Sequence, residues 1–363
     1  MFKCLKIGKI FYMRILSGIK PSGYLHLGNY LGAVKNWVKL QNNKKDSCLF
    51  FIADSHSLTE NLLSASEKQG QIQEMTVDLL ALGLDPRKST LFIQSHIPEV
   101  FELAWILDCL TPMGELERMT QYKDKSSRQE ANINAGLFTY PTLMAADVLL
   151  FKTEAVPVGD DQSQHLELAR ETARRFNRRY GKIFPEPKAL LTKSARLMSL
   201  KNPLEKMSKS VSDSYVGVFD EPTVIFEKIR GATTASNDLF EKIYLVQGEI
   251  VFEPSRRGAE HPEFAKMEAA VNNLLLLLQE FDPNKFKSLF ANNKIDLDRL
   301  RYSELKNDLA KAMVAHFAPL RQKRLDLMKQ KKKVLKIYQA GAKKARIISQ
   351  KTLKEVKGKI GLI

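Results

Sequence analysis

Cys48-Leu49-Phe50-Phe51-Ile52-Ala53 is an unbroken apolar run. A strand carries such a run only when both of its faces are covered. Thr90-Leu91-Phe92-Ile93 repeats the pattern. Ile15-Leu16-Ser17 reads as an earlier strand and Ala155-Val156-Pro157-Val158 as a later one, although Pro157 argues against it. Between these runs the spacing of apolar residues predicts helices over about Asn29 to Leu40, Glu67 to Leu82 with a stop at Gly83, Val100 to Leu110, Thr142 to Leu150 and Asp160 to Asn177. The alternation predicts an α/β class, a doubly wound, Rossmann-like parallel sheet.

After about Pro222 the strand signal fades. Met267, Val271, Leu274, Leu275 and Leu278 recur at helical spacing, as do Leu309, Met313, Phe317 and Leu320. Met328, Leu335 and Tyr338 suggest a long last helical region, and 248–262 reads as a loop or hairpin. The expected division is an N-terminal tail over 1–12, a Rossmann-like catalytic domain over 13–210, and an all-helical domain over 211–363 whose last helix can pack back on the sheet. The tail is basic and apolar but lacks a long apolar core or a small-residue cleavage site, so a disordered tail or an over-extended start is expected rather than a targeting segment.

Charge is concentrated at one end. The 363 residues carry a net charge of +16, yet 321–363 holds fifteen Lys/Arg against two acids, Asp326 and Glu355. A solvated helix face is the plain reading of a basic block. Runs such as Lys331-Lys332-Lys333 point instead to a polyanion, RNA first. The three cysteines have no metal-ligand or redox spacing, so no structural metal is expected and a reducing cytoplasm suits the composition. Apolar runs such as Cys48 to Ala53 and Leu274 to Leu278 are far too short to span a membrane.

Two short segments carry chemistry. Pro21-Ser22-Gly23-Tyr24-Leu25-His26-Leu27-Gly28-Asn29 follows the first strand. Pro21 and Gly23 favour a tight turn, Gly28 allows close backbone approach, and the helix start offers amides to an anion. His26 can donate to a phosphate oxygen. Lys206-Met207-Ser208-Lys209-Ser210 puts two compact cations on a small-residue loop suited to a leaving pyrophosphate. Taken singly, the first is equally a turn with a surface histidine and the second a solvated loop. In this order on an α/β scaffold, they point to a nucleoside triphosphate.

These segments resemble the HIGH-like and KMSKS motifs of class I aminoacyl-tRNA synthetases. Ser17-Gly18-Ile19-Lys20-Pro21-Ser22-Gly23, Gly114-Glu115-Leu116-Glu117-Arg118-Met119-Thr120-Gln121, Tyr140-Pro141-Thr142-Leu143-Met144-Ala145-Ala146-Asp147 and Val156-Pro157-Val158-Gly159-Asp160-Asp161-Gln162 resemble bacterial-type tryptophanyl-tRNA synthetases, as does Arg174-Arg175-Phe176-Asn177. The likeness is dense over 14–210, thin over 211–300 and moderate thereafter. It implies attachment of L-tryptophan to tRNA(Trp) through an adenylate, with ATP and Mg²⁺ entering as one substrate complex, and a cytoplasmic homodimer. It implies ATP contacts from Lys20, Pro21, Ser22, Gly28, Asn29, Gly159, Asp160, Asp161, Leu197 and Lys206 through Ser210. His26, Lys206, Lys209 and Lys123 would act on the phosphates.

Asp147 is a carboxylate among apolar helix neighbours, with Met144 one turn earlier. Either a distant Arg or Lys pairs it, or it serves a ligand. An indole N–H is only a donor and an ionised carboxylate only an acceptor, so an Asp aimed at the indole would reject Phe by being left unpaired. A Tyr hydroxyl would satisfy it equally. The resemblance implies the indole, with Met144, His56, Val156 and Val158 lining the pocket and Tyr140 and Gln162 orienting the α-amino group. His56 by itself is as well read as a structural histidine.

The chain departs from the family pattern in places. Lys20 stands where Gln is common, and Leu16 where an aromatic is. Val211-Ser212-Asp213-Ser214 replaces an Asp-Pro continuation, and Met267 to Leu275 replaces a Lys-Pro-Gly stretch ending in Ser-Asn-Leu-Leu. Three other readings stay open: a tyrosyl-tRNA synthetase, a small-molecule adenylyltransferase on the same fold, and a catalytically silent RNA-binding paralogue.

Overall fold

The structure, a computed structural model, describes residues 13–59, 62–120, 122, 133–159, 163–191, 197–207 and 211–362. By contacts these divide into two compact units. One comprises the described residues within Met1–Gly23, Val34–Lys193 and Asp326–Ile363; the other comprises Tyr24–Ala33 and those within Ser194–Leu325.

The first unit is built on five parallel strands in the order β3-β2-β1-β4-β5. They are β1 Arg14–Ile19, β2 Ser47–Ile52, β3 Thr90–Ile93, β4 Ala155–Val158 and β5 Lys188–Leu191. The apolar runs became strands because the layer is covered on both sides. Leu49, Phe50 and Ile52 are fully buried, and Trp37 stacks on Phe50 with ring centroids 4.8 Å apart. Pro157 is tolerated in β4, and β5 has only the three-residue run Ala189 to Leu191 to announce it.

Two helices show how local chemistry sets boundaries. Ala65–Ala81 opens with a Ser64/Glu67 capping box and closes at Gly83, whose φ of 111° suits glycine. Ala135–Leu150 starts seven residues before the expected Thr142, capped by Asn134, and carries Pro141 inside. Beside that proline, the Thr142 hydroxyl donates to the Thr139 carbonyl at 2.5 Å, a local back-bond within the helix.

The last helix, Lys331–Ile360, packs along β3. Gly341 makes this possible: a methyl there would lie 1.8 Å from the Leu91 carbonyl oxygen. Tyr338, fully buried, donates its hydroxyl to the Thr76 carbonyl at 3.2 Å. Arg346 holds Glu99 at 2.9 Å.

The second unit is mostly helical, with Pro222–Arg230, Phe264–Phe281, Pro283–Leu289 and most of Tyr302–Met328. The expectation of an all-helical region needs correction. It also holds a four-stranded antiparallel sheet, β7-β6-β9-β8, from Phe240–Val246, Glu249–Pro254, Phe290–Ala291 and Lys294–Ile295. These strands are short or half-exposed and mix charges with apolar residues, which blurs a period of two. The β6–β7 turn falls at Gln247-Gly248, both with positive φ, at the start of the stretch 248–262 read as a loop or hairpin.

Candidate active site

In an open parallel sheet, ligands bind beyond the carboxyl ends of the strands, where the strand order reverses. Here that point lies between β1 and β4. Lys20, Pro21 and Ser22 follow β1 directly and Gly159 follows β4. Gly23, with φ 83°, takes the left-handed conformation that glycine accepts without strain.

Beyond the carboxyl ends of β2 and β3 lies a closed polar net centred on Asp147. The carboxylate is 3% exposed. His56 Nε2 lies 2.9 Å from its Oδ2, and Gln94 Nε2 donates to Oδ1 at 3.0 Å and Oδ2 at 2.8 Å. Gln94 in turn accepts from the His56 backbone N–H at 3.4 Å. Asp54 Oδ1 accepts from the Ser95 N–H at 3.0 Å. Burial pushes the Asp147 carboxyl above the usual carboxylate range; the hydrogen bonds from His56 and Gln94 oppose the rise, and the Asp54 charge adds to it.

Tyr140 meets the same net. Its ring lies edge-on to His56 at 6.5 Å, and its hydroxyl is 2.9 Å from His165 Nε2. Val156 and Val158 join the core cluster beside Ala145, Ala146 and Leu149, and Met144 is half-buried on the helix that bears Asp147. Asp147 is thus held by a histidine and an amide rather than by a distant Arg or Lys. The expectation that phenylalanine would leave it unpaired needs correction, because both oxygens already have partners within the protein. A carboxylate has about four acceptor positions, and only the unused ones remain for a ligand.

Of the triphosphate motifs, Tyr24–Asn29 and the described Lys206 and Met207 fall in the second unit, while Pro21, Ser22 and Gly23 belong to the first. His26 caps the helix start at Leu27–Asn29: its Nδ1 accepts the Gly28 N–H at 3.0 Å, and Asn29 Oδ1 accepts the His26 N–H at 3.3 Å. In the neutral ring this bond puts the proton on Nε2, the donor a phosphate oxygen needs. A Cβ on Gly28 would lie 2.9 Å from the His26 ring, so glycine here makes room for the histidine. The amides expected to face an anion are partly spent: Leu27 N–H goes to the Val216 carbonyl at 3.0 Å and Gly28 N–H to His26.

The stem of the lysine loop is a short antiparallel pairing. Met198 bridges Lys206, Ser199 N–H donates to the Glu205 carbonyl at 2.8 Å, and Met207 N–H to the Leu197 carbonyl at 3.4 Å. Leu197 and Met207 are buried, while Lys206 is exposed. One buried side chain grips this stem: Asn273 Oδ1 accepts the Met198 N–H at 3.1 Å and its Nδ2 donates to the Met198 carbonyl at 3.0 Å. A cavity of about 330 Å³ adjoins it, lined by Met198, Pro203, Leu204, Ala269, Asn272 and Leu276 among others.

The structure therefore brings His56, Tyr140 and Asp147 together in one unit, and His26, Gly28, Asn29, Leu197, Lys206 and Met207 in the other. Lys123, Asp160, Asp161, Gln162, Ser208, Lys209 and Ser210 lie outside the described residues. Sequence reasoning missed Gln94, His165 and Asn273. Gln94 carried a signal, since it follows an apolar strand directly; Asn273 is the Asn of an Asn-Leu-Leu run. His165 had none. Among the described residues, no group of three or more His, Cys, Asp or Glu could hold a metal ion.

A family model for class I tRNA synthetases (W and Y) matches residues 12–318. The tryptophan–tRNA ligase of Clostridium perfringens is 41% identical over 352 residues, covering 96% of this chain and 97% of that protein. The tryptophanyl-tRNA synthetase of Campylobacter jejuni complexed with ADP and tryptophan aligns with a TM-score of 0.76 at 33% identity, covering 96% of this chain and all of that one. The Mycoplasma pneumoniae tryptophanyl-tRNA synthetase aligns with a TM-score of 0.79 at 32% identity, covering 96% and 97%.

Proposed function

The chain belongs to the class I tRNA synthetases (W and Y), and from that membership we propose that it attaches L-tryptophan to tRNA(Trp) with ATP. The relatives carry the choice of tryptophan over tyrosine, and the buried carboxylate carries the choice against phenylalanine. Asp147 is locked in orientation by His56 and Gln94 and keeps acceptor capacity for one more donor. An indole N–H supplies that donor. A pocket built this way favours tryptophan over phenylalanine, which brings no polar hydrogen to a site already desolvated.

The tryptophan carboxylate attacks the α-phosphorus in line and pyrophosphate leaves. The nucleophile is already ionised, so no general base is needed, and the protein contributes positioning and charge stabilisation. Tyr140 and Gln162 orient the α-amino group, and Met144, Val156 and Val158 bound the pocket. Lys20, Pro21, Ser22, Gly28, Asn29, Gly159, Asp160, Asp161 and Leu197 contact ATP. His26, Lys123, Lys206 and Lys209 steady the phosphates, with Met207, Ser208 and Ser210 shaping the loop that carries the last two. Mg²⁺ arrives with the nucleotide and is held mainly by its phosphates. The adenylate then passes its acyl group to the terminal ribose of the tRNA.

Residues 13–210 form the catalytic part in this reading and 211–363 the tRNA-binding part. By contacts the last helix belongs with the sheet unit. The enzyme acts in the cytoplasm as a homodimer. The helix Glu99–Asp108 supports a self-association face, with Phe101 and Trp105 exposed one turn apart and Met113 exposed just beyond.

The test is ATP–pyrophosphate exchange with each of the twenty amino acids, followed by charging of bulk tRNA. Exchange driven by tryptophan alone, with charging, is expected. Exchange driven by tyrosine would replace the pocket assignment. Exchange without charging would leave a small-molecule adenylyltransferase, and neither activity a silent RNA binder.

A further inference from the structure

We infer that the outward face of the last helix is a docking face for the phosphate backbone of RNA, carried by the sheet unit and separate from the tryptophan and ATP sites above. The inference rests on the tRNA-ligase reading for its partner. The helix sorts its cations by side. Two at its packed flank are paired, Arg346 with Glu99 and Lys357 with Glu102, and the helix's single acid, Glu355, is taken by Lys152 from outside the helix. The cations facing outward are not paired. Lys332, Lys336, Lys343, Lys344, Lys351 and Lys354 are exposed, and no carboxylate lies within salt-bridge distance of any of them among the described residues. At helical spacing they fall within an arc of about 120° over a length of about 33 Å.

An ordinary solvated face mixes signs, because like charges a turn apart repel. Lys332 with Lys336 and Lys351 with Lys354 are such like-charged pairs, with no acid free to relieve them. A polyanion relieves them by binding. The geometry favours RNA over an anionic membrane. A membrane-surface helix buries a broad apolar face in lipid, but here the apolar face is spent on the sheet through Tyr338, Gly341, Ala342 and Ala345. Ile347, 71% exposed in the middle of the lysine arc, is the one large apolar side chain on the outer face.

The test is a quadruple variant, Lys336→Gln, Lys343→Gln, Lys351→Gln and Lys354→Gln, read against the corresponding Lys→Arg set. The expected result is an unchanged rate of tryptophan-dependent pyrophosphate exchange, with the KM for tRNA raised about tenfold or more at low salt. The slope of log(kcat/KM) for tRNA against log[salt] becomes shallower by about three. The Arg set restores both. A Gln set with wild-type KM and slope overturns the inference. So does a wild-type chain that floats with phosphatidylserine vesicles through this face and loses nothing in RNA binding when the face is neutralised. If tryptophan-dependent exchange is absent altogether, the ligase reading fails by itself, and filter binding of RNA by the two variant sets still decides this face.

Discussion

Asp147 and Lys206 are both charged groups assigned to substrate, and the fold holds them in opposite ways. Asp147 is gripped through its side chain: His56 and Gln94 fix both carboxylate oxygens inside a desolvated net. Lys206 is held through its backbone, by a bridge to Met198 that Asn273 clamps, and its side chain stays exposed. The first arrangement suits discrimination, where a ligand atom must meet one rigid acceptor. The second suits charge that moves during the reaction, because a tethered strand keeps the cation in reach while its torsions remain soft.

The contrast is testable from its strong end downward. Asp147→Ala should cost about 10⁴-fold in kcat/KM for tryptophan in pyrophosphate exchange, on the scale of a site robbed of its polar partner. A loss under tenfold would remove Asp147 from the pocket. Lys209→Ala should lower the activation rate by about 10²- to 10³-fold, as for a lost transition-state charge contact, while tryptophan Kd by fluorescence titration moves less than threefold. Equal losses in both would erase the distinction between the two regions.

Asn273→Leu should sharpen the contrast. The lysine-loop stem loses its clamp, and a displacement of about 1 Å at the loop corresponds to about 10²-fold in rate. KM for tryptophan should stay level, Asn273→Asp should rescue poorly because it cannot donate to the Met198 carbonyl, and Asn273→Gln should rescue partly. The smallest effect is in pH. Burial raises the folded-state pKa of Asp147, so its acceptor is lost on acidification at a higher pH than for an ordinary carboxylate. The acid limb of kcat/KM for tryptophan should therefore lie above the usual Asp range and flatten in Asp147→Asn.

Much of the scaffold was legible. β3 was read to the residue and β2 to within one, because a continuous apolar run bounded by polar residues leaves a buried strand as the simplest solution. The helix over Phe264–Phe281 follows from its spacing of Val271, Leu274, Leu275 and Leu278. The start of Ala135–Leu150 was hidden by Pro141, which reads locally as a stop. The antiparallel strands of the second unit were hidden by charged, half-exposed residues that blur the alternation, and the pairing that joins their two hairpins, Tyr244 with Lys294, spans 50 residues.

What the sequence determined by itself was chemistry with a short range: the alternation of strand and helix, a histidine in a glycine turn, two lysines in a small-residue loop, and a cationic end. Only the tertiary structure decided which side chains complete each other. His56 and Gln94 reach Asp147 across 91 and 53 residues, and Asn273 reaches Met198 across 75. Those meetings depend on strand order and helix packing, and a polar side chain carries no local periodic signal of the partner it will find. Hydrophobic periodicity is written into neighbours; hydrogen-bond complementarity comes into being only when the chain is folded.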